Sequence, residues 1–460
     1  MRTADHIDTG TRNDAHARAL ALLEDGDARA ARAVLREAVH DVIDPEMLND
    51  LAVLALQCGD EEEGRDLLRA LVRLHPDHLD ASANLRAVDS RPRGGGTTQA
   101  AAPAGDADRR TRLLQVISEG LQTHIADNVD HLFHPWGCEL PDPAGVGQRI
   151  AAQLEILDRA DTFWRCLGDE ESRSLWLRFL AYRALGPAHV RLQLEPDAYR
   201  RTVIGLSAGA LRQACAVRLP GLPLEWQLHL YDFSGLGLPI RAVGPPLPLA
   251  STMCFSQYAY RDPSVAGRPR AGDVALDVGG CWGETALWLA NAVGAGGQVH
   301  TFEPSPSNRR LLEQNLQLNP ELAAHITVWG NPVASRADET LWIPDVIAAG
   351  ATVQERVAGS EECPMVQLRT TSIDALCRAR ALPRVDFIKI DVEGADLGVL
   401  EGAAETIRAY RPRIAVACYH KPDDLVRIPD FVASLDVSYR WYLQCSTMTD
   451  IDTVAFAVPD

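Results

Sequence analysis

What this chain lacks narrows it first. None of its 10 cysteines stands in a Cys-x-x-Cys pair, so no framework of paired cysteines is indicated and mostly buried free thiols in a reducing compartment are expected. No apolar run approaches the roughly 18 residues a membrane helix needs, so no membrane span is expected. The opening MRTADHIDTG is polar and acidic, so no secretory signal is expected there and a cytoplasmic location is the expectation. Basic residues are in deficit: 45 Lys and Arg face 63 Asp and Glu, a net charge of −18. Nucleic acid and anionic membrane are repelled by that balance and are not expected as main partners. What is there is ordinary for a globular chain, 46% hydrophobic and 23% charged over 460 residues, enough for roughly two to four domains.

Residues 14–90 read as helix and repeat themselves. DGDARAARAVLREAV at 25–39 aligns with CGDEEEGRDLLRALV at 58–72, Gly26-Asp27 matching Gly59-Asp60. Leu48, Leu51, Ala52, Ala55, Gly64, Leu68, Leu71 and Pro76 fall where a helix–turn–helix repeat places apolar, small and stop residues, and the segment 1–90 resembles tetratricopeptide repeats. A concave protein-binding surface and a hairpin that merely packs both fit. The Gly/Ala/Pro-rich stretch 91–108 reads as a flexible linker.

Residues 109–262 read as a mixed α+β middle domain, a substrate or cap region. Apolar residues at three–four spacing predict helices up to about 185, and EWQLHLYDF and LPIRAVG, joined through Gly235 and Gly237, predict a hairpin. From 263 to 460 strands and helices alternate. Strand 273–278 precedes helix 284–294, and strand 298–303 precedes helix 305–318. Strand 325–330 and a strand pair near 339–343 and 365–370 follow. Strand 386–391 then leads to helix 395–409, and strand 413–419 to helix 423–435. Strands 439–445 and 452–458 close the chain with no helix between them. The fold class is α/β: an open, Rossmann-like parallel sheet with covered faces that ends in an antiparallel hairpin.

In such sheets ligands lie beyond the carboxyl ends of the strands. The turn in VALDVGGCWGETALWLA (273–289) has no Lys after Gly283, which excludes a phosphate loop, and Cys281 and Glu284 stand where a dinucleotide fingerprint needs glycines. Glu284 also places a carboxylate at the helix start that a pyrophosphate needs. What remains is Asp277-x-Gly279-x-x-x-Gly283, a close backbone approach beside an acid. It suits a cofactor with a cationic end and no phosphate, as S-adenosylmethionine has. Glu303 ends the next strand roughly 20 residues on, the spacing of a carboxylate that takes ribose hydroxyls, and Pro304 and Ser305 break that strand and cap the next helix. The candidate cofactor surface is therefore Asp277, Gly279, Gly280, Cys281, Gly283, Glu303, Pro304, Ser305 and Asp391, with Asn331, at the end of the third strand, placed to read an adenine.

Three blocks of sequence resemble the FkbM family of class I S-adenosylmethionine-dependent methyltransferases: GDVALDVGGCWGETALWLA with FSQYAYRD before it, HTFEPSPSNRRLLEQNLQLN, and TTSIDAL followed by VDFIKIDVEGADLGVLEGA; IAVACYHKPDDL extends them. The resemblance covers about 250–460. It implies a seven-stranded sheet and methylation, most often of a hydroxyl on a sugar or natural product, with some relatives acting on nitrogen. The partner expected is a small-molecule or glycan acceptor, with a possible protein partner through 14–90.

A hydroxyl gains from a base beside the methyl group. Asp391 and Glu393 end one late strand, and His420 the next. Asp391 is read as facing the sulfonium or acceptor, Glu393 as a helix cap or a wall of the site, and His420, with a pKa near neutrality, as the base; a surface histidine in a turn is the competing reading. Lys389 is placed to orient Asp391. Tyr258 and Tyr260 are candidate walls for cofactor or acceptor, or core of the middle region. No spacing requires a metal, and none is expected. A nicotinamide oxidoreductase and a non-catalytic adaptor with a vestigial fold are the alternatives.

Overall fold

The computed structural model describes residues 18–19, 21–23, 27–41, 45–59, 64–65, 67–68, 71–72, 79–89, 106–125, 128, 145–194, 199, 201–203, 205–206, 212–217, 228–345 and 364–460. One compact unit comprises Met1–Ala101 with Ser234–Gly237, and a second comprises Ala102–Phe233 with Leu238–Asp460. Among the described residues no helix is long and apolar enough to cross a membrane.

The first unit contains helices Ala28–Asp41, Pro45–Gln57 and Leu79–Asp89. Its core is small: Ala31, Leu35, Leu51, Ala52, Leu68 and Leu71 are buried. A side chain at Gly64 would collide with Leu56 and the Ala52 carbonyl, so two helical segments touch there at backbone distance. Pro76 and most of the expected linker lie outside the described residues. Its last three positions do not: Asp106 opens the helix Asp106–Leu121.

The second unit is organised by a seven-stranded sheet. We number the strands β1 Arg212–Val217, β2 Leu228–Asp232, β3 Arg241–Gly244, β4 Val274–Val278, β5 Gln298–Phe302, β6 Ile326–Trp329, β7 Thr340–Pro344, β8 Met365–Arg369, β9 Phe387–Ile390, β10 Arg413–Ala417, β11 Tyr439–Cys445 and β12 Thr453–Pro459. The order is β11-β12-β10-β9-β4-β5-β6. Strands β4, β5, β6, β9 and β10 run parallel, while β12 pairs antiparallel with both β10 and β11. Strands β4, β9 and β10 are buried at every position, as a sheet covered on both faces requires. Among the parallel strands, sequence order runs outward in both directions from β4, to β5 and β6 on one side and to β9 and β10 on the other, so the switch point of the fold lies at its carboxyl end.

The helices between 106 and 185, expected in a middle domain distinct from 263–460, belong to the same hydrophobic core as the sheet. Leu113, Phe163, Trp176 and Leu180 pack in one cluster with Val278, Ile388, Val416 and Trp441. Phe163 meets Trp176 and Trp441 edge-on at 5.3 and 6.0 Å. Helix Glu170–Leu185 is buried around most of its circumference, which is what a helix pressed between layers needs. The 262/263 boundary is thus not a boundary of packing. The hairpin β2–β3 gains a third strand, β1, that alternation alone did not reveal.

One expected helix divides. Residues 395–409 form Asp396–Glu401 and Ala404–Tyr410, separated at Gly402. A Cβ there would lie 2.2 Å from the Ala334 carbonyl oxygen, and the carboxylate of Asp374 receives the free Glu405 and Thr406 amides of the second piece. A cap supplied from another helix leaves no local signal.

Candidate active site

The carboxyl end of β4 carries a buried row. Register sets Asp277 between Thr301 on β5 and Lys389 on β9. Asp277 is fully buried. It accepts the Thr301 hydroxyl at 2.8 Å and the Thr285 hydroxyl at 3.0 Å, and lies 3.2 Å from Lys389 Nζ. Lys389 also donates to the Gly279 carbonyl. Burial works against its charge, but Asp277, Asp391 and Glu284 outweigh it and hold its pKa above the usual lysine value. Asp277, expected at the cofactor, is therefore consumed inside the sheet: it fixes the loop from below. Lys389, expected to orient Asp391, turns to Asp277.

The loop above is backbone. Gly279 and Gly280 both donate to the Phe302 carbonyl, at 3.1 and 2.8 Å. Gly279 has φ +90, and a Cβ on it would stand 1.8 Å from the Asp391 carbonyl oxygen, so no other residue fits. Cys281 and Gly283 also have positive φ, 42 and 85. Trp282 faces away, into a cluster with Leu228, Leu230, Val243 and Leu311. Asn315 accepts from Val243 N and donates to the Val243 and Trp282 carbonyls. It thereby ties the β2–β3 hairpin to the back of the loop.

Two buried carboxylates flank this loop. Glu284 opens its helix with Oε2 shielded and without a hydrogen bond; burial pushes it up to about 7. Glu303 at the end of β5 accepts from Ser305 N at 2.8 Å and from the Cys281 amide, and burial again pushes it up to about 7. Ser305 caps helix Pro306–Gln317 by accepting from Asn308 N.

On the β9 and β10 side, Asp391 and His420 meet. Tyr258 donates to Asp391 Oδ2 at 2.7 Å, while Asp391 Oδ1 is shielded and accepts nothing. His420 Nδ1 bonds Asp396 Oδ2 at 2.9 Å. Asp396 is held in turn by the amides of Val392 and Gly394. His420 Nε2 lies 3.4 Å from Asp391 Oδ1 and 3.3 Å from Glu393 Oε2, with a hydrogen bond to neither. Glu393 adopts φ 54, a left-handed conformation rare for its type. Burial opposes the charge on His420, but Asp396, Glu393 and Asp391 push its pKa up to about 10. The imidazole expected as a base near neutrality is thus an imidazolium at neutral pH, and a charged ring has no lone pair for a proton. Burial raises Asp391 above the usual carboxylate range, against the pull of Lys389 and His420.

Residues 267–441 match the methyltransferase FkbM domain. The chain carries a methyltransferase domain. A curated protein similar to it is the hexuronic acid methyltransferase AglP of Haloferax volcanii, 28% identical over 137 residues, which are 30% of this chain and 52% of that one; the chain thus spans about half the length of this relative. Among solved structures, methyltransferase FkbM from Methylobacillus flagellatus has a TM-score of 0.41 at 18% identity, covering 72% of this chain and 62% of that one. Aeropyrum pernix fibrillarin, solved with natively bound S-adenosyl-L-methionine, has a TM-score of 0.30 at 12% identity, covering 54% and 90%.

The matched domain contains the loop, Glu303, Asp391, Glu393 and His420. Tyr258 precedes it and reaches into the site; Lys389 Nζ lies 5.2 Å from its ring centre. Tyr260 does not reach it: its hydroxyl goes to Asp169 Oδ2 at 2.6 Å and its ring packs on Tyr442 and Phe456. Asn331 is turned to the β7–β8 hairpin, where its amide donates to the Arg369 carbonyl. Sequence reasoning missed Asp396 and Asp452. Asp452, beyond the matched segment, accepts the Ser251 hydroxyl at 3.0 Å and is pushed up to about 7 by burial, then by Asp391. Asp396 sits three residues past Glu393 in the block VDFIKIDVEGADLGVLEGA, which was the available signal; nothing in the sequence marks Asp452.

Proposed function

We propose that the chain is an S-adenosylmethionine-dependent methyltransferase acting on a hydroxyl of a saccharide or secondary metabolite. The FkbM match carries this reading, because it falls on both the glycine loop and the Asp391–His420 side of one sheet edge. The cofactor supplies a methyl group already activated on sulfonium, which leaves positioning, exclusion of water and proton removal to the protein. The residues present suit it. Glu284 Oε2 is a shielded acceptor without a hydrogen bond, fit for an ammonium. Glu303 is placed to accept ribose hydroxyls, as its ionised form prefers. The acceptor hydroxyl belongs against Asp391, Glu393 and His420. During methyl transfer the Asp391 or Glu393 carboxylate would take the acceptor's hydroxyl proton, since a charged imidazole has no lone pair for it.

The hexuronic acid methyltransferase relative favours a saccharide, and so oxygen over nitrogen. The helices of 1–90 suit a protein partner if they are tetratricopeptide repeats, and a vestigial adaptor is the reading that remains if the cofactor fails to bind. Calorimetric titration with S-adenosylhomocysteine decides. Saturable binding, weakened by Glu303→Ala and absent for NADH, is expected; no binding to the folded chain overturns the proposal.

A further inference from the structure

We propose that Asp391 Oδ1, Glu393 Oε2 and His420 Nε2 form a divalent-cation site. One ligand atom from each of these three residues lies within 4.8 Å of the other two. Their spacing suits an ion. Donors about 2.1 Å from one metal stand about 3.0 Å apart at a right angle and about 3.4 Å apart at the tetrahedral angle. Nε2 is 3.4 and 3.3 Å from the two carboxylate oxygens.

Two of the three donors, Asp391 Oδ1 and His420 Nε2, are left over after the neighbouring atom of the same side chain has been used. The second oxygen of Asp391 is taken by the Tyr258 hydroxyl, and the second nitrogen of His420 by Asp396. With Nδ1–H donating to Asp396, a cation entering between the carboxylates would displace the Nε2 proton to solvent and take the lone pair it leaves. A buried acid behind a histidine that turns its other nitrogen to a metal is a recurrent second layer of metal sites. Here that acid is itself fixed by two backbone amides. The His420 side chain is only 8% exposed, and Nε2 faces the two carboxylates without a hydrogen bond to either. The left-handed backbone of Glu393 brings the third donor in, and such strain gathers at ligand-holding positions. Charge agrees. Asp452 adds a further carboxylate to the field felt by Asp391, and Lys389, which also acts on Asp391, forms its ion pair with Asp277.

Two carboxylates and one imidazole suit a first-row divalent ion such as Mn2+. Such an ion holds an acceptor's oxygen and lowers its pKa. It would thus take over the activation assigned above to the carboxylates, which become its ligands. The site stands on geometry; only this role rests on the methyltransferase reading.

The test is Mn2+ uptake by the full chain after EDTA treatment and desalting, followed by loss of the free-ion electron paramagnetic resonance signal, with circular dichroism as the check on folding. Saturable uptake of a single ion is expected. Glu393→Gln, isosteric and on a partly exposed residue, should weaken it about tenfold or more. Asp396→Asn, which touches no metal, should weaken it about 10–100-fold. No saturable uptake by the folded wild-type chain, or uptake indifferent to Glu393→Gln and Asp391→Asn, overturns the site. S-adenosylhomocysteine titration of the same sample separates the failures. Ligand binding without Mn2+ uptake removes the cation site alone, and Mn2+ uptake without ligand binding removes the methyltransferase reading and leaves the site.

Discussion

Glu284 and Glu303 on one side of the sheet edge, and Asp391, Glu393 and Asp396 on the other, are all carboxylates near strand ends, but they are buried in different company. For the first two, desolvation outweighs the hydrogen bonds from neighbouring groups and lifts both to about 7. The second group crowds around His420, and its combined charge keeps that ring protonated up to about 10. One side presents half-ionised acids, suited to hydroxyls and a single ammonium. The other concentrates negative charge that one imidazolium does not balance. The same residue type thus builds a reading surface in one place and a cation trap in the other, and burial against mutual proximity decides which.

The sharpest way to break this contrast is through the lysine between the two sides. Lys389→Met strands Asp277 inside the sheet and should cost about 3–5 kcal/mol in chemical denaturation. The Asp277→Asn/Lys389→Met double substitution should recover part of that loss, and simple additivity would mean that the pair does not hold the loop. Next in size, Glu303→Ala should weaken S-adenosylhomocysteine by about 1.5–3 kcal/mol, the worth of hydrogen bonds to a charged group. Asn331→Ala should leave it unchanged, because that amide serves the β7–β8 hairpin.

A third experiment uses pH. Glu303 rises from 4.5 to about 7 on burial. Between these values the folded chain keeps a proton that the unfolded chain has lost. Its contribution therefore favours folding below the lower value and is lost as pH rises through the upper one. Ligand hydroxyls prefer the ionised form, so affinity should rise with pH through about 7. Glu303→Gln should flatten that rise; a rise that persists assigns it to another group, Glu284 first. The smallest effect is expected of Tyr258→Phe, which frees Asp391 Oδ2 at a cost of about 1 kcal/mol. It should show as a modest loss of turnover with little change in S-adenosylhomocysteine affinity.

The sheet was legible because its strands are short apolar runs between helical segments, a pattern that β4, β9 and β10 impose by being buried on both faces. Gly279 and Glu303 were legible because their spacing follows from the strand–turn–helix frame. His420 was found by its place at a strand end, but not its charge state, which depends on Asp396 and on a loop bend at Glu393. Asp277 was read as a ligand contact because nothing local says that Lys389 will be its neighbour; only register across β4 and β9 does. Tyr258 and Tyr260, two residues apart in one aromatic stretch, go to Asp391 and to Asp169, a divergence with no trace in the pattern. The extent of the core was missed for the same reason, since helical periodicity shows that a segment buries a face but not which partner receives it.

The position of β12 has a practical consequence. The matched domain ends at 441, inside β11, yet the later strand β12 lies between β10 and β11 in the sheet. A chain cut at that boundary would lose an interior strand and leave β10 as a bare, apolar edge. Such an edge is a template for intermolecular pairing, so truncation there should yield aggregates in expression trials, and those aggregates would say nothing about whether the remaining residues can bind a ligand.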